Sequence, residues 1–306
     1  MKLSPVIILS ALSLMLTSCL DRTKLDEETD YIRFAPVISE GTRAGEEVSG
    51  FPLDGNFTVW ALSGAGDKYL DGAVCSYSAS LGWTPIGNPK WPAGMSLRFV
   101  ACSPENLSRA ACDGNGVITL SGYTVDRVTD PLFTQLTPAH SFDDGATVGL
   151  PFYHALAKID FRVLHALGDG VRVRVKRIEI GDVWMSGDFD SSAMPMWTPS
   201  GEKSVLSVYD GGNGTEVSAK TPVYVGDRRL VLPQSGESSI SVTFSFSDDD
   251  GESWSTDESV TSVVSLKEWD VDRHYTYTLT IGAGQSGQSY VLKYTTGISS
   301  WDYVQQ

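Results

Sequence analysis

Ile240-Ser241-Val242-Thr243-Phe244-Ser245-Phe246 alternates apolar and hydroxyl side chains, and Asp248-Asp249-Asp250-Gly251 follows it. A two-residue period sets every second side chain on one face, the geometry of a half-buried β-strand. The acidic run ending in Gly reads as its turn. Toward the C-terminus, Tyr275-Thr276-Tyr277-Thr278-Leu279-Thr280-Ile281 repeats the alternation. Toward the N-terminus, Arg229-Leu230-Val231-Leu232 is an apolar strand stopped by Pro233. Val171, Val173 and Val175 form another, Ile178 and Ile180 follow, and Ala155, Ala157, Ile159, Phe161 and Val163 share one face. Earlier still come Phe57-Thr58-Val59-Trp60-Ala61-Leu62 and Ser96–Cys102, then Gly116–Leu120 and Leu132-Phe133. Gly64-Ala65-Gly66-Asp67 and Gly87-Asn88-Pro89 separate them as turns.

These segments predict an all-β protein of two tandem antiparallel β-sandwich domains, end to end. The polar stretch Ser141-Phe142-Asp143-Asp144-Gly145 places the division, giving domains 44–148 and 149–306. At 306 residues and 41% apolar composition, each half can bury a core of its own. The 38 acidic against 23 basic residues leave a net charge of −15, which repels nucleic acid and anionic headgroups. No Lys/Arg cluster offsets that field, so no nucleic-acid partner is expected; solubility alone also accounts for the charge.

The N-terminus carries a different signal. Lys2 precedes the apolar run Val6–Leu16, which is shorter than the roughly 20 residues a spanning helix needs and fits a secretory signal of residues 1–18. Leu16-Thr17-Ser18-Cys19 then resembles the lipobox of bacterial lipoproteins. On that reading Cys19 takes the lipid, and two or three acyl chains hold firmly at roughly 0.8 kcal/mol per CH₂. A polar tether, Leu20–Asp30, follows. In Tyr31-Ile32-Arg33-Phe34-Ala35-Pro36-Val37-Ile38, the side chains of Ile32, Phe34, Pro36 and Ile38 point to one face. Pro36 removes a ladder donor and suggests an edge position. Ser39–Glu47 is a Gly-bearing loop open to proteolysis, and Arg43 before the small Ala44 suits an arginine-specific protease.

In order along the chain, several blocks resemble the fimbrillin family, the type V pilins and Mfa-like fimbrial proteins of Bacteroidales. They are the lipobox, Thr42-Arg43-Ala44, His154-Ala155-Leu156-Ala157-Lys158-Ile159, Gly187-Asp188-Phe189-Asp190 with Trp197, Leu232-Pro233-Gln234, and Trp269 with Tyr275-Thr276-Tyr277. Asp130-Pro131-Leu132-Phe133 departs from the family's acidic-Leu-Leu block. The resemblance implies transthyretin-like, Greek-key sandwiches and a lipidated propeptide, residues 19–43. It implies display at the outer membrane, cleavage after Arg43, and loss of the strand bearing Ile32, Phe34 and Ile38. A terminal strand of the next fimbrial subunit then fills the groove, by β-strand addition. The candidate for that strand lies after the flexible Gly282–Gly287: Leu292, Tyr294, Thr296 and Ile298 alternate, and Trp301 can fasten the end. The same tail can equally pair within its own domain.

Other chemistry finds little support. Gly282-Ala283-Gly284-Gln285-Ser286-Gly287 fits GxGxxG, but no helix pattern follows. His140, His154, His165 and His274 form no HExxH, no GxSxG occurs, and Asp248–Glu252 lacks EF-hand spacing. No CxxC pair suggests zinc, so no cofactor, metal or enzyme activity is expected. Cys102 and Cys112 are close enough in sequence to close a loop. Two rival readings remain: an uncleaved lipid-held anchor of the same fold, or a glycan-binding surface protein using Trp83, Trp91 or Trp197 as stacking platforms.

Overall fold

The computed structural model describes residues 30–39, 48–145, 147–194, 196–266, 269–284 and 289–301. Its first ten strands are β1 (Arg33–Ser39), β2 (Val48–Gly50), β3 (Phe57–Leu62), β4 (Lys68–Ser78), β5 (Gly82–Pro85), β6 (Arg98–Ser103), β7 (Ala110–Cys112), β8 (Ile118–Thr124), β9 (Leu132–Thr134) and β10 (Thr147–His154). Then come β11 (Ala157–Ala166), β12 (Arg172–Asp190), β13 (Trp197–Val217), β14 (Val223–Tyr224), β15 (Arg229–Val231), β16 (Gly236–Ser247), β17 (Glu258–Leu266), β18 (Arg273–Ala283) and β19 (Tyr290–Ser300). A single 3-10 turn, Phe142–Asp144, is the one helical element among the described residues. The all-β class stands.

The first unit departs from the expected open sandwich. Its strands run β10-β9-β6-β3-β4-β5-β1, and β1 pairs back onto β10, closing a ring of seven. The β1–β10 pairing is parallel, as is β11–β18, so the sheets are mixed where antiparallel ones were expected. Alternation along a strand fixes which side chains face inward; it carries nothing about the direction of a partner more than a hundred residues away. Inside the ring lie Ile32, Phe34, Phe57, Phe99, Leu150 and Phe152. The expected division at 148/149 falls within β10, all of which lies in this ring's sheet.

The second unit sets the sheet β14-β11-β18-β19 against β17-β16-β12-β8-β7. Phe161, Val175, Val242, Phe244 and Tyr277 share the core between them. β12 is one long bulged strand, not the separate short ones its valines suggested. It pairs with β16 through Gly181 and with β8 from Ser186 onward. Asp182, at φ +56°, sits in the bulge between these stretches, where a strand can bend toward a new neighbour. Thus β7 and β8, from the first half of the sequence, complete a sheet of the second. A third cluster seals the seam: Trp60, Val100 and Phe133 from the ring meet Leu120, Phe189 and Trp197.

Candidate functional site: the first strand and the last

β1 takes the facing its sequence dictates. Ile32, Phe34, Pro36 and Ile38 are buried, Ala35 is exposed, and Arg33 and Val37 are half-buried. The Phe34 ring meets Phe57 and Phe99 edge-on, at 6.0 and 5.3 Å between centroids. Its ladder with β10 is continuous from Arg33↔Thr147 to Ile38↔Phe152. The other side is held in pieces. The Ile32 amide donates to Pro89 and the Trp91 amide to Asp30, Phe34 opposes Trp83 of β5, and Val37–Ser39 pair with β2. Pro36 sits in the gap between the last two contacts, so the strand is interior with a broken second ladder, in place of the expected edge. Burial of Ile32, Phe34 and Ile38 contributes about 5–9 kcal/mol on transfer arithmetic, enough to keep a tethered strand seated.

β1 and β2 form a hairpin with Ser39 opposite Val48. Arg43 and Ala44 belong to the connection between them and lie outside the described residues, as does Cys19. Among the described residues β2 pairs with β1 alone; since this connection joins β1 to the strands that follow, a cut within it would leave β1 held to them by noncovalent contacts.

The C-terminal strand is bound differently. β19 pairs with β18 along its whole length, from Ala283↔Tyr290 to Arg273↔Ser300. Yet of residues 290–301 only Leu292 and Trp301 are buried; Tyr294 is half-buried and Ile298 is 62% exposed. Leu292, Tyr294 and Ile298 share a face that meets the core at one end and overhangs it at the other. Trp301 turns to the seam between the units, where its ring stacks on His154. That cluster was not legible in the sequence, because it joins residues from three distant segments.

Two buried histidines pair with carboxylates. His154 Nδ1 lies 2.7 Å from Asp130, and His274 Nε2 lies 3.0 Å from Asp160. Burial pushes the Asp160 carboxyl up, but hydrogen bonds from His274 and Thr276 outweigh it and hold the group below its usual range. Cys102 and Cys112 are free, so the bridge between them is not made, and Cys75 is free as well. Burial raises the Cys102 thiol to about 12, with Cys112 adding to it, and the Cys112 thiol to about 11. Such thiols are poor nucleophiles at neutral pH. Asp249 caps the Asp248–Gly251 turn through Ser247 and Ser253. No three metal-ligating side chains converge among the described residues. Trp83, Trp91 and Trp197 are all buried, which removes them as glycan platforms.

The blocks that carried the resemblance hold the body together. Trp197 Nε1 donates to the Ala155 carbonyl at 2.6 Å, Trp269 Nε1 to the Tyr277 hydroxyl at 2.9 Å, and the Gln234 amide closes a pair of hydrogen bonds with the Trp184 backbone. A family model described as fimbrillin-like matches residues 42–301, most of the chain. The chain belongs to the fimbrillin-like family. The matched span starts at Thr42, so β1 of this fimbrillin-like chain lies in front of it. Among solved structures, a fimbrial protein from Bacteroides vulgatus is similar at 13% identity and a TM-score of 0.60, covering 89% of this chain and 100% of its own. A protein from Bacteroides uniformis described as a cell adhesion protein matches at 16% identity and a TM-score of 0.56, covering 90% and 100%. At such identities the likeness is one of fold. No curated protein sequence matches the fimbrillin-like chain.

Proposed function

We propose that this protein is a structural subunit of a surface fimbria that assembles by exchanging β1 for a strand of a neighbouring subunit. It is exported as a lipoprotein through Cys19, held at the outer membrane, and cut after Arg43 by an arginine-specific protease. β1 then leaves and opens a groove between β10 on one side and β2 with β5 on the other. Before cleavage the covalent link keeps β1 at high effective concentration; afterwards a competing strand can win. Family membership supports the fimbrial assignment. The observation that carries the exchange is that β1 closes the ring with its own apolar residues while its other ladder is broken.

The strand supplied by the neighbour is the C-terminal one. Ile32, Phe34, Pro36 and Ile38 fill the groove at every second position, and Leu292, Tyr294, Thr296 and Ile298 have the same spacing. Leaving β18 uncovers Leu292 and Trp301, the two buried side chains of the tail, and entering the groove buries Tyr294 and Ile298 in exchange. The partners are therefore other fimbrial subunits. The test is the N-terminal residue of the protein taken from surface fimbriae: Ala44 is expected. An acylated Cys19 in polymerised material contradicts the proposal and makes the protein an uncleaved anchor.

A further inference from the structure

β19 is fastened to its own sheet by a ladder and by few side chains. Leu292 is seated in the core, and the next buried group of the tail is Trp301, past the end of the strand. The Trp301 ring lies flat on the His154 imidazole, 4.0 Å between centroids and 12° between planes. The Lys158 ammonium stands 4.6 Å from the centre of the same ring. His154 ends β10 and Lys158 is the second residue of β11, so these two flank Ala155-Leu156-Ala157, where the chain passes from one unit to the other.

The passage is tied down on all sides. His154 Nδ1 holds Asp130 at 2.7 Å, and the His154 amide faces Asp272 at 3.4 Å. The Ala155 carbonyl accepts from Trp197, and the Leu156 carbonyl accepts from the Asp272 amide at 3.0 Å. Trp301 closes this pile. We propose that Trp301 is a latch that holds the C-terminal strand on β18 and, through the same contact, stiffens the passage between the two units, so that withdrawing the strand loosens both. Its part in assembly rests on the proposed role of the tail as the exchanged strand; the latch itself rests on the contacts above.

The seat is mixed in character. An aromatic ring on imidazole and ammonium gains stacking and cation–π attraction while seated. The same ring belongs to the apolar cluster of Ala155, Leu156, Trp197 and Leu232, so its departure exposes apolar surface beside Lys158 and the His154–Asp130 pair. Both contributions hold the strand in place until a competing contact offsets them.

Hydrogen exchange in the intact, uncleaved chain tests this. Trp301→Ala is expected to speed exchange of the amides of 290–300 and of 154–157 by at least roughly tenfold, the loss of one stacked, cation-bearing contact. The amides of β16 keep their protection, and Trp301→Phe, which retains a ring, restores most of it elsewhere. Unchanged protection of β19, or faster exchange of β19 with none at 154–157, overturns the latch. If Trp301→Ala unfolds the whole protein, Trp301→Leu against Trp301→Phe decides: the leucine variant must exchange faster at both segments, and equal rates overturn the inference. The readout needs no polymer. Failure to find Ala44 in fimbriae sinks the assembly reading and leaves the latch standing, and failure of the exchange result does the reverse.

Discussion

Phe34 and Ile298 carry opposite halves of the account at the level of single residues. Phe34 is buried against two other rings, and Ile298, on the apolar face of the last strand, is largely in solvent. The inward set of β1 was legible in the sequence, since Ile32, Phe34 and Ile38 could satisfy a two-residue period only on one face. The tryptophans were less so: large aromatic side chains serve cores and binding surfaces alike, and only the fold shows Trp83, Trp91 and Trp197 inside. His165 offers a prediction at this scale. It is buried, and burial pushes its imidazole below the ordinary value of about 6.5. The folded state thus prefers the neutral ring. As pH falls through about 6.5, the unfolded chain takes up a proton that the folded chain refuses, and stability drops until the lower folded value is passed. Denaturant midpoints between pH 8 and 5 are expected to fall less steeply in His165→Phe than in the wild type. Equal slopes would mean that His165 is not held neutral by the fold.

Strands show where sequence reasoning ends. Alternation located β1, β3, β6, β11, β16, β18 and β19, passed over β4, β10, β13 and β17, and left open what each strand would pair with. β1 was expected at an edge because of Pro36; it closes a ring, and Pro36 occupies the break in its second ladder. β19 is docked on β18, as the alternative reading of the tail allowed. Partner choice depends on contacts between residues far apart in the chain, and a local pattern does not encode them. A lock across β1 and β10 tests whether β1 must move. Ala35 opposes Gly149, both are exposed, and a Cβ on Gly149 would stand more than 4 Å from any neighbouring atom, Ala35 Cβ included, so the pair has room for a spacer longer than a direct disulfide. Ala35→Cys with Gly149→Cys, bridged by a short bis-methanethiosulfonate cross-linker, is expected to leave the fold and the cut after Arg43 intact. Strand release and polymerisation should fall to background when cross-linked and return with reductant. Polymers of normal yield from the cross-linked protein would show that assembly proceeds with β1 in place.

Over the whole molecule, the two halves are less separate than the polar stretch at 141–145 suggested. β7 and β8 join the second unit's sheet, and Trp60, Phe133, Phe189, Trp197 and Trp301 fill one seam. Against that continuous body, β1 stands out as the one ring strand that precedes the span shared with the family. Under the proposed cleavage after Arg43, a single cut would sever it from the rest of the ring. The amides of β10, Thr147–His154, report on it directly, because β1 is their partner along most of that strand. Their hydrogen exchange should be followed in the uncut protein, in the cut protein stripped of residues 30–43, and in the assembled polymer. Strong protection, at least roughly hundredfold faster exchange, and regained protection are expected in that order. Protection that persists after β1 is gone, or that does not return on assembly, would contradict strand exchange.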